Sequence, residues 1–149
     1  MGRQLDDSLK GAHAVPTDHL STDQTKRKEL WGRWVAALCA RDLSRAEAVA
    51  EEMCTQDYVA HSPAFPDYGR GPAAAKAFAH HVITHYAQID LALEDFFGEG
   101  DRTAARSTVR FTVEATGLKA WYPVLNIMRW VGDQLAERWE LTGPPEEHA

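Results

Sequence analysis

The apolar residues of this chain change their spacing at about Ile89. Before that point, three stretches over residues 30–38, 46–53 and 75–86 place their apolar residues on one side of a helix. After it, the stretch "TAARSTVRFTVEA" alternates strictly, as a strand does, and three further stretches are strand-like. Three helices followed by a meander of about four strands predict the α+β class, with one sheet that curves around the helices to bury their apolar faces.

The 149 residues are enough for one domain with a substantial core. Residues 1–22 are polar and have no period, so we expect a flexible N-terminal arm there. Residues 23–143 form the predicted domain, and residues 144–149 form a tail. Within the domain, "QDYVAHSPAFPDYGRG" is predicted to be irregular because its prolines and glycines interrupt any period.

Composition narrows the class of partner. The net charge is −6 and the sixteen Lys and Arg residues are scattered, which argues against a nucleic-acid surface. No apolar run approaches the roughly 18–20 residues of a membrane span, so no membrane partner is expected. The first residues lack the apolar stretch of a signal peptide, which predicts a cytoplasmic protein. A small-molecule substrate remains the expected partner.

The last strand, "LAERWEL", has two different sides. Ala136, Arg138 and Glu140 share one side, and the more apolar set that includes Trp139 shares the other. In a sheet wetted on one side, the charged set would face water. Alternatively, the same set lines a closed pocket. Arg106 and Arg110 pose the same question on an earlier strand, where they either bind an acidic substrate or form an outer polar face.

His81 and His85 lie one helical turn apart in "HHVITH", a spacing that suits a metal ion. The sequence offers no evident third ligand, and the two residues flank the apolar stripe of their helix. We therefore predict a polar helix flank and no metal site.

Five stretches in order resemble the SnoaL-like polyketide cyclase family, which belongs to the nuclear transport factor two superfamily beside the ketosteroid isomerases. They are "LWGRWVAALCARDLSRAEAVAEEM", "DYVAHSP", "HYAQIDLALED", "GEGDRTAARSTV" and "NIMRWVGDQLAERWE". The resemblance covers roughly Asp23 to Leu141. It implies a cone-shaped α+β barrel, in which three N-terminal helices pack in a curved antiparallel sheet that encloses a pocket.

The resemblance also implies catalytic positions. Glu140 matches the family's acid/base, and Arg138 on the same side of its strand would then face the pocket. Asn126 stands where family members place His or Asp, and its amide can hydrogen-bond but cannot carry a proton. His61 matches a family histidine, while Ser62 replaces an acidic or amide residue. We expect Glu140 as the base, with Asn126 and His61 as hydrogen-bond donors to the developing enolate oxygen.

Six further residues are expected by resemblance to contact a substrate. Trp34 matches an aromatic position of the first helix. The connection before Trp121 and Tyr122 is shorter than the long loop of many cyclases, so the pocket mouth is expected either to be more open or to be covered by these two residues. The full set of expected contacts is Arg138, Trp34, Tyr58, Tyr122, Arg106 and Trp121.

The function implied is a cyclase or isomerase that needs no cofactor and acts on a hydrophobic, oxygenated, polyketide-like intermediate. One alternative is epoxide opening, as in the related limonene epoxide hydrolases, whose Asp–Arg–Asp set is partly matched by Glu140, Arg106 and Asn126. Another alternative is a noncatalytic binding or dimerising protein, because this fold often hosts no catalysis.

A homodimer is expected from the outer sheet surface. If alternate residues line the pocket, the outer face is apolar, and so large a patch is rarely left bare on a monomer. Its expected members are Val109, Phe111, Leu125, Ile127 and Trp139.

Overall fold

The structure of the protein is a computed structural model that describes residues 20–147. The described chain forms three helices and six strands: α1 (Thr22–Cys39), α2 (Leu43–Met53), β1 (Cys54–His61), α3 (Pro72–His85), β2 (Tyr86–Glu99), β3 (Arg102–Val113), β4 (Lys119–Val131), β5 (Gln134–Thr142) and β6 (Glu146–Glu147). The expected N-terminal arm falls mostly on residues 1–19, outside the described residues. Part of the expected tail forms β6, which pairs with β4. No helix of residues 20–147 is long and apolar enough to span a membrane.

Local side-chain chemistry explains where the helices begin. Ser21 caps α1 by accepting a hydrogen bond from the Gln24 backbone N–H, and Asp42 caps α2 in the same way. Pro72 occupies the first turn of α3, where a missing backbone N–H costs no helical hydrogen bond. The preceding Gly71 has a φ of 75°, and a Cβ there would meet the Gln56 carbonyl oxygen at 2.7 Å. Only glycine therefore lets the loop approach β1 and start α3 at this point.

The sheet has the strand order β1-β5-β4-β3-β2, with β6 beside β4. Strands β2 to β5 form the predicted antiparallel meander, but β1 runs parallel to β5. The prediction of irregular structure over residues 56–71 is therefore wrong for its first part, because the interrupting prolines and glycines all follow His61. The α+β class is confirmed. The sheet is curved, but it is mixed and open rather than a closed antiparallel barrel.

Buried hydrogen bonds from Arg27 attach α1 to two turns of the sheet. Its Nη1 donates to the Gly100 carbonyl oxygen at 2.8 Å, and its Nη2 donates to the Gly132 carbonyl oxygen at 3.1 Å. These carbonyls belong to the β2–β3 and β4–β5 turns, and the guanidinium also lies over the Trp130 ring. The register of α1 against the sheet is thus set one turn before Trp31.

Residues alternate between the two sides of both β3 and β5, but the arginines of β3 face outward, whereas Arg138 of β5 faces inward. In β3 the uncharged residues Ala105 and Val109 are buried, and the arginines between and beyond them face outward. In β5 the charged residues Arg138 and Glu140 are buried. The expected outer apolar face is therefore wrong for Val109, which is buried, and for Phe111, which packs with the inner cluster.

The outer apolar surface is nevertheless present across other positions. Cross-strand pairing aligns Phe97 with Ala104, Ala104 with Ile127, and Ile127 with Trp139. Leu125 pairs with Leu141 beside this row. We call these five large residues the outer patch: Phe97, Leu125, Ile127, Trp139 and Leu141. All except Trp139 are exposed, so the expectation of an apolar outer face holds for Leu125 and Ile127.

Candidate active site

Arg138 and Glu140 form an ion pair inside the protein. Arg138 Nη1 donates to Glu140 Oε2 at 2.5 Å, and only 5% and 8% of the two side chains is exposed. The residues are two apart on β5, so their side chains project from the same side of the strand. This arrangement settles which way the charged side of the last strand faces: it points toward the helices, not toward water.

Two neighbouring strands accept further hydrogen bonds from Arg138. Its Nη1 also donates to Asn126 Oδ1 on β4 at 2.9 Å, and its Nε donates to the Tyr58 hydroxyl oxygen on β1 at 3.2 Å. The aromatic rings of Trp31 and Phe78 lie 5.9 and 5.4 Å from the guanidinium carbon. Burial acts to lower the pKa of Arg138, but Tyr58 and Glu140 outweigh it and raise that pKa. The guanidinium is therefore a permanent cation here.

Glu140 has a second partner in Ser62. The Ser62 hydroxyl donates to Glu140 Oε1 at 3.3 Å, while the other carboxylate oxygen accepts from Arg138. Ser62 follows directly after β1, and the parallel pairing of β1 with β5 brings it to this position. Both carboxylate oxygens of Glu140 are thus held, one by Ser62 directly after β1 and the other by Arg138 on β5.

The pair lies in the wall of a cavity that we call the inner chamber. The empty space that its wall residues outline is about 530 Å³, a figure that includes space open to solvent. Asn126, Arg138 and Glu140 form its polar wall. The rest of the wall is aromatic or aliphatic, with these main contributors: Trp31, Trp34, Phe78, Val82, Val109 and Tyr122.

A second cavity, the side chamber, lies against the same arginine. Its space is about 410 Å³, and its wall includes Tyr58, Ser62 and Tyr68. Trp34, Phe65, Phe78 and Arg138 line both chambers. The Phe65 and Phe78 rings meet edge to face with centroids 5.0 Å apart. The two chambers therefore share a wall made of these four residues.

Three tyrosines near the ion pair keep their protons at neutral pH. Burial raises the pKa of Tyr58, of Tyr86 and of Tyr122, and the charge of Glu140 adds to the effect on each. Tyr86 and Tyr122 line the inner chamber. Their phenol groups can therefore act as hydrogen-bond donors to an oxygen of a bound molecule.

The structure brings together six of the residues expected from the sequence: Glu140, Asn126, Arg138, Trp34, Tyr58 and Tyr122. It does not bring His61 to either chamber. Tyr58 and His61 are three residues apart on β1, so they point to opposite sides of the strand. His61 Nε2 lies 2.7 Å from Glu137 Oε2, and its ring stacks on Trp139 on the outer face. The expected donor role of His61 in the pocket is therefore not supported by its position.

Arg106 and Trp121 also lie outside both chambers. Arg106 Nε donates to Asp95 Oδ2 at 2.5 Å, and about half of each side chain is exposed. Trp121 lies on β4 between two residues that face inward, Ala120 and Tyr122. Its strand position turns it toward the outer side, where its backbone pairs with Glu146. Of the two aromatic residues expected at the mouth, only Tyr122 faces the cavity.

The sequence did not identify several residues of the chamber walls as site residues. Phe65 lies between Pro63 and Pro66 in the segment predicted to be irregular, and no periodic pattern includes it. Phe78 was read as part of the apolar stripe of α3. An apolar helix face has the same period whether its residues pack in the core or line a cavity, so periodicity does not distinguish the two.

His81 and His85 stack with ring centroids 3.9 Å apart. Residues 20–147 contain no group of three or more His, Cys, Asp or Glu side chains placed to hold a metal ion. His81 instead contacts the rings of Phe65 and Tyr68, so this pair forms part of the packing beside the two chambers.

Comparison with known proteins identifies the architecture. A family model described as a SnoaL-like domain matches residues 31–142. No curated protein sequence matches this chain.

Solved structures share the fold at low sequence identity. A candidate SnoaL-like polyketide cyclase from Jannaschia sp. CCS1 is 16% identical, with a TM-score of 0.71 over 82% of this chain and 88% of its own. AclR from Streptomyces galilaeus, a candidate hydroxylase, is 23% identical, with a TM-score of 0.64 over 80% of each chain. IdmH from Streptomyces antibioticus, a candidate polyketide cyclase, is 19% identical, with a TM-score of 0.63 over 78% of this chain and 91% of its own.

Proposed function

Because this chain belongs to the SnoaL-like domain family, we propose that it is an acid/base enzyme that needs no cofactor and acts on a hydrophobic, oxygenated, polyketide-like molecule. One observation carries the proposal. A carboxylate, Glu140, is buried in the wall of an otherwise aromatic and aliphatic chamber together with a permanent cation, Arg138. A buried ion pair is costly to maintain for stability alone. The names of the candidate cyclases that share the fold agree with this class of substrate.

In the proposed reaction, Glu140 removes a proton from the carbon next to a carbonyl group of the substrate. The electron pair of the broken C–H bond forms an enolate, whose negative oxygen needs hydrogen-bond donors. Glu140 then returns its proton. If the proton returns to a different carbon, the reaction is an isomerisation. If the enolate carbon first attacks a second carbonyl and the resulting alkoxide takes the proton, the reaction is an aldol ring closure.

The contacts of Asn126 indicate its role in the proposed reaction. An arginine can only donate hydrogen bonds, so the atom of Asn126 that faces Arg138 is its oxygen. The amide NH₂ group is then the donating side of a residue that lines the inner chamber. We propose that Asn126, with Tyr86 or Tyr122, stabilises the enolate oxygen. His61 has no part in this scheme because it lies on the other face of the sheet.

Epoxide opening remains a second candidate because of one feature. Arg138 lies between Glu140 and Asn126 and hydrogen-bonds to both. The related limonene epoxide hydrolases use an arginine between two acids. Here Arg138 takes the central place that was expected for Arg106. One of the two acids is an amide here, so only Glu140 could carry a proton.

A noncatalytic ligand-binding role is the third candidate. Both oxygens of Glu140 already accept hydrogen bonds, from Ser62 and from Arg138. A carboxylate held in this way also suits a site that only binds. The acid/base enzyme should catalyse proton exchange in a bound ketone, whereas a protein that only binds its ligand should not.

The test measures loss of the C1 protons of 2-tetralone, a bicyclic ketone, in deuterated water by proton NMR. The wild-type protein should accelerate exchange above buffer. Glu140→Gln keeps the shape and removes the proton carrier, so exchange should slow by about 10²–10⁴-fold. Glu137→Gln, three positions earlier on the same strand but on the outer face, is the matched control and should retain wild-type exchange.

Exchange by Glu140→Gln at the wild-type rate would remove Glu140 from the mechanism. Binding of 2-tetralone by the wild type without any exchange above buffer would favour the noncatalytic candidate.

A further inference from the structure

One buried polar group in the wall of the inner chamber has no partner within residues 20–147. It is the indole Nε1 of Trp31, a residue that is only 4% exposed. Trp130 is similarly buried, and its indole N–H donates to Thr103 Oγ1 at 2.9 Å. The fold thus supplies a hydrogen-bond acceptor to Trp130 on β4, but not to Trp31 in the chamber wall. A buried donor without an acceptor costs free energy, and a ligand oxygen would recover it.

Trp31 is also held in place. It lies four residues after Arg27, whose hydrogen bonds to Gly100 and Gly132 attach α1 to the sheet. The guanidinium of Arg138 lies 5.9 Å from its ring centroid. The indole therefore lies in the same wall as Arg138 and Glu140, and it would not have to reorganise when a ligand enters.

The charge of the chamber limits what this donor can bind. The charge of Arg138 is neutralised by Glu140 at 2.5 Å, and Arg138 also donates hydrogen bonds to neutral groups of Asn126 and Tyr58. A carboxylate ligand would meet Glu140 in the same wall without an unpaired cation to offset the repulsion. The neutral oxygen of a ketone or quinone ring is the acceptor that fits an N–H donor in an aromatic wall.

We propose that Trp31 is a substrate-binding residue whose indole N–H donates a hydrogen bond to a carbonyl oxygen of the ligand, and that the inner chamber selects neutral ring ketones over ring carboxylates. This inference rests on the proposed function, since it concerns the ligand of the same chamber. It concerns binding alone, so it can be tested separately from the proton transfer by Glu140.

The experiment compares three probes by titration calorimetry: 2-tetralone, 2-methylenetetralin and 2-naphthoate. The second has a CH₂ group where the first has its carbonyl oxygen. The wild type should bind the ketone about 3- to 10-fold more tightly than the alkene, and it should bind 2-naphthoate more weakly than either. Trp31→Phe retains an aromatic ring but removes the N–H, so the preference for the ketone over the alkene should fall. The preference that remains is then due to the other donors of the chamber, Asn126, Tyr86 and Tyr122.

Trp139→Phe is the matched control. Trp139 lies on the outer face of β5, where its ring stacks on that of His61, and it lines neither chamber. Its substitution should leave the preference for the ketone unchanged. A second measurement is spectroscopic. The infrared C=O stretch of ¹³C-labelled 2-tetralone should move to lower frequency on binding to the wild type, and this shift should be smaller in Trp31→Phe.

Equal binding of ketone and alkene by the wild type, or an unshifted C=O stretch in the bound state, would overturn the inference even if Glu140-dependent exchange is observed. A preference for the ketone that is undiminished in Trp31→Phe would assign the contact to another donor and would also overturn the inference. If the Trp31-dependent preference is present but exchange is absent, the inference holds and the catalytic proposal fails.

Discussion

Arg138 Nη1 and Glu140 Oε2 lie 2.5 Å apart in the interior, with 5% and 8% of the two side chains exposed. Arg106 Nε and Asp95 Oδ2 are separated by the same 2.5 Å on the outer face, where 53% and 50% of the side chains are exposed. The two ion pairs therefore differ chiefly in burial. Water screens the outer pair, whereas the inner pair depends on its own partners for compensation.

This contrast predicts the effect of removing either arginine. Arg138→Met leaves the Glu140 charge buried without its cation, so we expect the free energy of unfolding to fall by about 3–5 kcal/mol. Arg106→Met leaves Asp95 in contact with water, and we expect a change of at most about 1 kcal/mol. Urea denaturation followed by tryptophan fluorescence measures both values.

The double variant Arg138→Met/Glu140→Gln removes both charges together. It should be more stable than Arg138→Met alone, because no uncompensated charge remains in the chamber wall. Equal stability of the single and double variants would show that Glu140 is not destabilised by the loss of Arg138.

Asn126 tests the enolate site of the proposed mechanism. Asn126→Ala removes a hydrogen-bond donor but keeps the proton carrier, so we expect the 2-tetralone exchange rate to fall by about 10–10³-fold, less than in Glu140→Gln. The measurement is the same NMR exchange assay. An effect larger than that of Glu140→Gln would mean that Asn126 mainly holds Arg138 and Glu140 in place.

Cys54 makes the free energy of unfolding depend on pH in the alkaline range. It is buried at the start of β1, and burial raises the pKa of its thiol from 9.0 to about 12. Between these values the unfolded thiol loses its proton while the folded thiol keeps it. The unfolded state then binds fewer protons, so the free energy of unfolding falls as pH rises, by up to about 1.4 kcal/mol per pH unit from this group.

Urea denaturation at about pH 8 and about pH 10 measures this decline. Cys54→Ala should show a smaller decline than the wild type over the same interval. Some decline should persist, since burial also raises the pKa of Tyr58 and of Tyr122. Identical declines in both proteins would exclude Cys54 as a source.

The outer patch predicts association of two copies. Leu125, Ile127 and Leu141 are 53%, 50% and 62% exposed on adjacent strands, and a contiguous apolar sheet face of this kind suits a two-fold interface. We propose a homodimer, with light scattering expected to give about twice the chain mass of 16.6 kDa. Ile127→Asp should shift the protein to a monomer.

Leu118→Asp is the control for this prediction. Leu118 is also an exposed leucine, but it lies in the turn between β3 and β4, away from the outer patch. It should leave the mass unchanged. A wild-type monomer at micromolar concentration would contradict the proposed dimer.

The sequence by itself determined the class of fold and most of its elements. Helical spacing before Ile89 and alternation after it are local properties, and they predicted three helices and the four-stranded meander correctly. The strand β1 was not predicted, because the prolines and glycines that follow His61 obscured it. Its parallel pairing with β5 is a contact between residues about 80 positions apart.

The tertiary structure alone decided which charged side of a strand is buried. Arg106 on β3 and Arg138 on β5 lie in similar alternating patterns, yet the first faces water and the second faces the chamber. A charged side chain can be buried only where partners satisfy it. Asn126, Tyr58 and Ser62 provide those contacts for Arg138 and Glu140 from two other segments of the chain. Their convergence depends on how the strands are ordered in the sheet, and alternation along one strand holds no information about its neighbours.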